Sequence, residues 1–465
     1  MSDSSTHLNR ALGLRLAIVI VVANIIGSGV YKKVAPMAND LHSAGWILIC
    51  WLLGGVITLF GALSNAEIAG MMADTGGEYA YYKKIFGRFF SFLYGWSNFS
   101  AIKTASISGI AYVFAQSLNS IVEIPPMLES WSNTRILGIF LPFEDFNIKL
   151  VAILLVAVLT FLNTRGIKAG ASLSSAIVLI ILAGILILVA FGLTSPEANV
   201  SQVFVLNTEG LSTVSFSTIF TAMLAAFWAY EGWNSVGYLG GEIKDPHKNV
   251  PRSITLGLLI VITMYLLANI AYLSLLPMSA LQDIHNTGKI AAVEAMKAFW
   301  GNGGGLFMSV LILISTLGCT HATIYSSARI YYAMAGEKLF FKGAGVLNKE
   351  QAPGNALVMQ GIWACMLILS GSFDQLTDML IFAAFLYYGA TTVGVFILRK
   401  KMPDAHRPYK VWGYPVIPAI FIIFCVLLIA NTIIERPREA GIGLALIFIG
   451  IPFYWWFNKT LKNGK

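Results

Sequence analysis

The chain has 465 residues, 57% of them hydrophobic and 12% charged, with a net charge of +8. Soluble domains carry about a quarter charged residues, so this composition and a mean hydropathy of +0.73 exclude a soluble globular protein and indicate an all-α integral membrane protein. The positive balance reflects basic residues in loops that orient a membrane protein, so it calls for no nucleic-acid partner.

Twelve apolar segments succeed one another, at about 12–35, 43–72, 89–119, 148–164, 171–193, 214–240, 253–276, 303–335, 355–372, 376–398, 414–433 and 441–457. Most exceed the ~20 residues that span hydrocarbon. With the N-terminus placed in the cytoplasm, 22 of the 31 Lys and Arg fall on the inside, eight outside, and one, Lys103, inside a segment. Lys and Arg concentrate in cytoplasmic loops. The count and the bias therefore agree on both termini being cytoplasmic. Residues 1–11 read as a cytoplasmic tail with no cleaved leader. Residues 194–213 read as an outer connecting loop, 399–413 as a basic inner loop and 458–465 as a second cytoplasmic tail. The outer loops 120–147 and 277–300 read as irregular. Cys50, Cys319, Cys365 and Cys425 lie in apolar runs without metal-ligand spacing, so no metal site, no cofactor and no disulfide is expected.

The first segment carries Ala23-Asn24-Ile25-Ile26-Gly27-Ser28-Gly29-Val30. Glycine costs a helix roughly 1 kcal/mol relative to alanine. An opened helix in lipid is tolerated only where its bare backbone faces protein, water or solute. The stretch predicts a break, although glycine also serves ordinary helix packing in membranes. The sixth segment carries a second candidate, Ala226-Phe227-Trp228-Ala229-Tyr230-Glu231-Gly232-Trp233-Asn234. A mid-span carboxylate is costly and normally faces a cavity or a partner; the plainer reading of Glu231 is a structural brace.

Two interrupted helices five segments apart point to an inverted-repeat transporter with its site at the midplane. On this reading residues 12–193 form one five-helix unit and 214–398 a second, with residues 414–457 as two peripheral helices. The opened N–H groups of Gly27, Ser28 and Gly29 begin a half-helix, whose positive dipole end suits a carboxylate. The carbonyls of Ile25, Ile26, Phe227 and Ala229 suit an ammonium group. Together they describe an α-amino acid, with Trp228 as a flap and Tyr230, Trp233 and Asn234 shaping the pocket.

At these residues the chain resembles the amino acid–polyamine–organocation superfamily, and within it the L-type amino acid transporter branch and its bacterial relatives. The resemblance rests on Asn24 to Val30, Leu63-Ser64-Asn65-Ala66-Glu67-Ile68-Ala69, Thr75-Gly76-Gly77-Glu78-Tyr79, Trp228 to Asn234, Asn249-Val250-Pro251-Arg252, Ser327-Ala328-Arg329 and Arg407-Pro408-Tyr409-Lys410. It implies a LeuT-like five-plus-five inverted repeat with discontinuous helices one and six, alternating access, and Trp228 at the outer gate. Many members have a lysine inside segment five, where this chain has Ile181 and no charge. Lys103 is expected to supply that charge or to titrate in proton coupling; a snorkelling or carboxylate-paired lysine is the plainer alternative. The 120–147 loop has no cysteine, so no disulfide-linked ancillary subunit is expected.

Glu67 and Arg329, near the inner ends of segments two and eight, are expected to pair across the closed inner side. His321 is read as a neutral, satisfied histidine or a pH-sensitive group. The expected function is secondary transport of neutral L-amino acids across the cell membrane, as exchanger or as proton or sodium symporter, with the bilayer as surroundings. A polyamine or amine carrier is the alternative. A channel or intramembrane enzyme is more remote, because no P-loop, nucleophile elbow or paired-histidine motif is present.

Overall fold

A computed structural model describes residues 10–72, 75–136, 140–165, 170–206 and 214–463. Residues 1–9 of the N-terminal tail, 207–213 of the outer connecting loop and 464–465 of the C-terminal tail lie outside the described residues, as do Asp74 in the turn after segment two and Lys168, which with Lys465 is counted among the inside basic residues.

The described residues form helices joined by turns and loops, with no strand among them. The first segment divides into α1 (Leu14–Ile25), α2 (Gly29–Lys32) and α3 (Val34–Leu41). α4 (Ala44–Met71) and the short α5 (Glu78–Ile85) come after it. α6 (Arg88–Ser97) and α7 (Lys103–Asn119) are joined by a π turn over Asn98–Ile102. α8 (Phe146–Thr164), α9 (Gly170–Thr194) and α10 (Val200–Val203) complete the first half. The sixth segment is α11 (Phe216–Tyr230) followed by two short 3-10 turns (Ser235–Tyr238 and Gly240–Glu242); the seventh is α12 (Pro246–Leu275), which starts with Pro246 in its first turn. Beyond them come α13 (Met278–Asn286), α14 (Ala291–Gly336), α15 (Gly354–Ser370), α16 (Phe373–Lys401), α17 (Val416–Glu435), α18 (Pro437–Phe448) and α19 (Gly450–Asn463).

Nine helical spans among the described residues are long and apolar enough to cross a membrane. α11 and α15 are apolar but shorter, because α11 stops at the break and α15 at Ser370. Three expectations change in detail. Residues 277–300 are not irregular: α13 buries Leu281 and Ile284 and packs against α3, so an amphipathic helix covers that end of the bundle. Segment eight lengthens into α14, bent at Gly301, whose φ of 60° suits only a residue without a Cβ. Segment twelve divides at Gly450, where a Cβ would lie 2.6 Å from the Trp96 ring.

Function depends on where α1 lies. It packs against α12, α14 and α9, while α11 packs against α4, α3 and α16. The two broken segments meet where α2 packs against α11 and the Ser235–Tyr238 turn packs against α1. α17 leans on α16 and α4, and its Ile423, Val426 and Ile434 stay exposed, as a lipid-facing edge requires.

Candidate functional site

The helical pattern of α1 ends when the Ile26 N–H bonds the Val22 carbonyl at 2.8 Å. Among the described residues, no protein acceptor meets the N–H groups of Gly27, Ser28 and Gly29. Small residues are needed at the crossing. A Cβ at Gly29 would collide with the Ala229 backbone, one at Gly232 with the Asn24 carbonyl, and one at Gly27 would stand 2.7 Å from Cys319 Sγ. Gly232 also has φ 110°, outside the range of other residues. These approaches press the two breaks together.

Between them lies a small hollow lined by Asn24, Ile25, Gly27, Ser28, Gly29, Ser106, Ile110, Trp228, Glu231 and Cys319. Ser28 Oγ and Trp228 Nε1 are buried there without a hydrogen-bond partner. Buried polar atoms are normally satisfied, so these two await a ligand or water. The free volume is about 10 Å3, room for roughly one water. An amino acid enters only if the walls move. A larger cavity of about 230 Å3 lies between α15, α16 and α18. It is almost wholly apolar and includes neither break.

The carbonyls expected to receive an ammonium group are partly engaged by the scaffold. Tyr265 on α12 donates its hydroxyl to both the Ile25 and Ala229 carbonyls, at 3.1 and 3.0 Å. Ser315 on α14 donates to the Ile26 carbonyl at 3.1 Å and lies 3.3 Å from that of Gly27. The Glu231 N–H closes on the Trp228 carbonyl, so Phe227 falls outside the regular pattern.

Three segment-six side chains face elsewhere than expected. Tyr230 donates to the Trp51 carbonyl on α4 at 3.1 Å. Asn234 donates to Glu78 at 2.8 Å. Trp233 packs on Tyr388, ring centres 5.1 Å apart. A broken helix turns its side chains away from the 3.6-residue pattern, so proximity in sequence does not bring them to one face.

Glu231 reaches the hollow, and both its oxygens are used. Lys103 approaches one at 3.0 Å, and the Tyr388 hydroxyl donates to the other at 2.6 Å. Lys103 is therefore the carboxylate-paired lysine. The expected Glu67–Arg329 pair does not form. Glu67 is held by Arg399 at 2.7 Å and Arg407 at 3.4 Å, and accepts from the Val411 N–H. Arg329 pairs with Glu242 at 3.0 Å, and Tyr325 donates to the same carboxylate. The last turn of α16, which takes in residues 399–401 of the expected inner loop, and the loop after it supply cations to Glu67 that α14 does not. His321 lies on α14 outside the hollow, half-buried.

Two sets of contacts lie beyond the breaks. On one side the Phe373 ring meets Trp228 edge-on at 5.8 Å, beneath the ammonium groups of Lys32 and Lys33. Lys33 is clamped by Asp374 at 2.6 Å and Thr377 at 2.9 Å. On the other side the Leu12 N–H bonds the Glu242 carbonyl and the Lys244 N–H bonds that of Leu12, fastening the entry to α1 onto the segment-six connection. Nearby Glu78, on the short α5, accepts from Asn65 and Asn234, and burial pushes its carboxyl up to about 7. Asp374, Tyr388, Tyr265 and Glu242 were missed because each sits in an unremarkable stretch; only the fold brings them to the breaks. The capping box at Ser372–Gln375 marked the start of α16 but not what Asp374 would meet.

A family model described as "Amino acid permease" matches residues 12–457. The serine/threonine exchanger SteT of Bacillus subtilis (strain 168) is 30% identical over 99% of this chain and 99% of its own length. The b(0,+)-type amino acid transporter 1 of Rattus norvegicus is 28% identical over 97% of this chain and 89% of its own. The cystine/glutamate transporter of Homo sapiens is 26% identical over 98% and 86%. Two crossed helix breaks around a closed hollow, in an apolar bundle that these relatives cover almost end to end, identify the chain as a member of the amino acid permease family within the amino acid–polyamine–organocation superfamily: a membrane transporter of amino acids and not an enzyme.

Proposed function

We propose that the chain is a secondary carrier of neutral L-amino acids that works by alternating access in the cell membrane. The observation that carries this reading is the hollow itself. Gly27, Ser28 and Gly29, whose N–H groups are free, line it together with Ile25, Trp228 and Glu231, and Ser28 Oγ and Trp228 Nε1 are unpartnered there; Ile26, Phe227 and Ala229 lie behind this lining. The N–H groups hold the substrate carboxylate. The remaining lone pairs of the break carbonyls hold its ammonium group. Trp228 and Phe373, with the Lys33–Asp374 clamp, form the outer gate. The Arg329–Glu242 and Glu67–Arg399 pairs, with the Leu12 bonds, form the inner one.

The architecture proposed with it is twelve spans in a five-plus-five inverted repeat, both termini cytoplasmic and α17 to α19 peripheral. Exchange is the preferred mode, since the similar Bacillus subtilis protein is named an exchanger; proton or sodium symport is the second. No covalently attached ancillary subunit is needed. A carrier of amines without a carboxylate would leave the 27–29 amides unused.

Counterflow in proteoliposomes tests this. Internal unlabelled neutral amino acid should accelerate uptake of the labelled one, and amines lacking a carboxylate should not compete. Uptake without trans-stimulation would point to a pore, and competition by simple amines to the polyamine alternative. Imposed pH and sodium gradients separate exchange from symport.

A further inference from the structure

The hollow is bordered by one charged side chain, Glu231. That carboxylate is not available as it stands. Its side chain is 4% exposed and its partner Lys103 2%, and Tyr388 occupies the second oxygen. Two opposite buried charges 3.0 Å apart carry no net charge, so a third charge meets a dipole and not an unpaired ion. A cationic side chain entering the hollow finds its natural partner already neutralised, and an anionic one finds Lys103 already taken.

Local backbone geometry sets this pairing. The π turn Asn98–Ile102 inserts a residue into the α6–α7 rod immediately before Lys103. Such a turn rotates the rest of the rod relative to a regular helix, and Lys103 opens α7 facing segment six. It also lies 5.5 Å from the centre of the Tyr238 ring on the 3-10 turn beyond the break. The next acid in this region, Glu78, is bonded to the amides of Asn65 and Asn234 and forms no ion pair within 4 Å among the described residues.

We propose that the Lys103–Glu231 pair determines which side-chain charge the hollow accepts. Intact, it confines the protein to neutral amino acids. Without the lysine charge, Glu231 admits cationic side chains. Without the glutamate charge, Lys103 admits anionic ones. Lys103 and Glu231 act here as a mutually neutralising pair of specificity-determining residues. The inference rests on the amino acid carrier reading and specifies its substrate class.

The test uses the full chain in proteoliposomes, with labelled L-leucine and L-serine as neutral probes. L-lysine and L-ornithine serve as cationic competitors and L-glutamate and L-aspartate as anionic ones. Lys103→Met should improve the apparent affinity of the cationic competitors by about tenfold or more, the size that one uncompensated nearby charge supplies at an intermediate dielectric. Glu231→Gln should do the same for the anionic competitors. The double variant Lys103→Met/Glu231→Gln, again without net charge, should exclude both classes. Where a variant binds but no longer turns over, ligand-induced shifts in melting temperature in detergent read the same order.

Two results fail differently. No counterflow of either neutral probe in the unsubstituted chain overturns the carrier reading and this inference with it. Neutral counterflow in the unsubstituted chain with no gain of charged ligands in either single variant, by transport or by melting shift, overturns the pair alone.

Discussion

The two helix breaks differ in kind. The first spans three residues, Ile26 to Ser28, before α2 begins, and carries no charge. The second runs from Glu231 through two 3-10 turns, and α-helix resumes only at Pro246. At the first break the N–H groups of Gly27, Ser28 and Gly29 and the Ser28 hydroxyl stay without partners among the described residues. At the second the charged groups are taken up, Glu231 by Lys103 and Tyr388 and Glu242 by Arg329 and Tyr325, while Trp228 Nε1, Asn234 Oδ1 and Ser235 Oγ stay without partners. The first break keeps free backbone donors; the second has its charges braced by the scaffold. Buried polar groups without partners cost about 1–3 kcal/mol each. They persist where a ligand supplies the missing bond.

The harshest way to break this comparison is to separate the breaks. Gly29→Val drives a branched side chain into Ala229, and Gly232→Val adds a forbidden φ to a collision with Asn24. Each should lower initial exchange by roughly a hundredfold, the size of overpacking plus backbone strain. Rates are normalised to folded protein recovered by gel filtration. Wild-type exchange by Gly29→Val would show that the crossing is not needed.

Removing one brace from the second break comes next. Tyr388→Phe takes a donor from the buried Glu231 carboxylate and should cost about 2 kcal/mol, read as a lower melting temperature in detergent.

Glu78 should couple the same region to pH. Burial lifts its carboxyl from 4.5 to about 7, so the folded chain keeps a proton that the unfolded chain releases. Its contribution to stability is full below about pH 4.5, falls as pH rises toward 7 and is flat above. Relative to Glu78→Gln, the unsubstituted chain should lose of order 1–2 kcal/mol between pH 5 and 7.5. Parallel melting curves of the two proteins across that range would count against a neutral Glu78.

The smallest effect sharpens the contrast from the open side. Ser28→Ala removes a hydroxyl with no protein partner. Melting temperature should stay put, while KM for the neutral substrate rises by roughly fivefold, about 1 kcal/mol of one ligand hydrogen bond. A fall in stability with unchanged KM would mean that Ser28 is structural.

Much of the site was legible along the chain. Gly27 and Gly29 flanking a serine, and Glu231-Gly232 amid aromatics, marked both breaks, because glycine and a mid-span carboxylate are each unfavourable in a lipid-buried helix. Pairings were less legible. Glu67 and Arg329 looked like partners by depth, yet Arg399 at the end of α16 and Arg407 in the loop after it reach Glu67 from more than 300 residues away. Tyr230 and Asn234 were read into the pocket by adjacency, but the turn after α11 sends them to α4 and α5.

Sequence alone determined that this protein lives in a bilayer and that its first and sixth segments break, since these depend on local composition and on the cost of unsatisfied peptide groups in hydrocarbon. Tertiary structure alone decided which charge meets which. Ion pairs form across helices, and whether Lys103 faces Glu231 depends on the extra residue of a π turn and on how α7 packs beside the broken sixth segment.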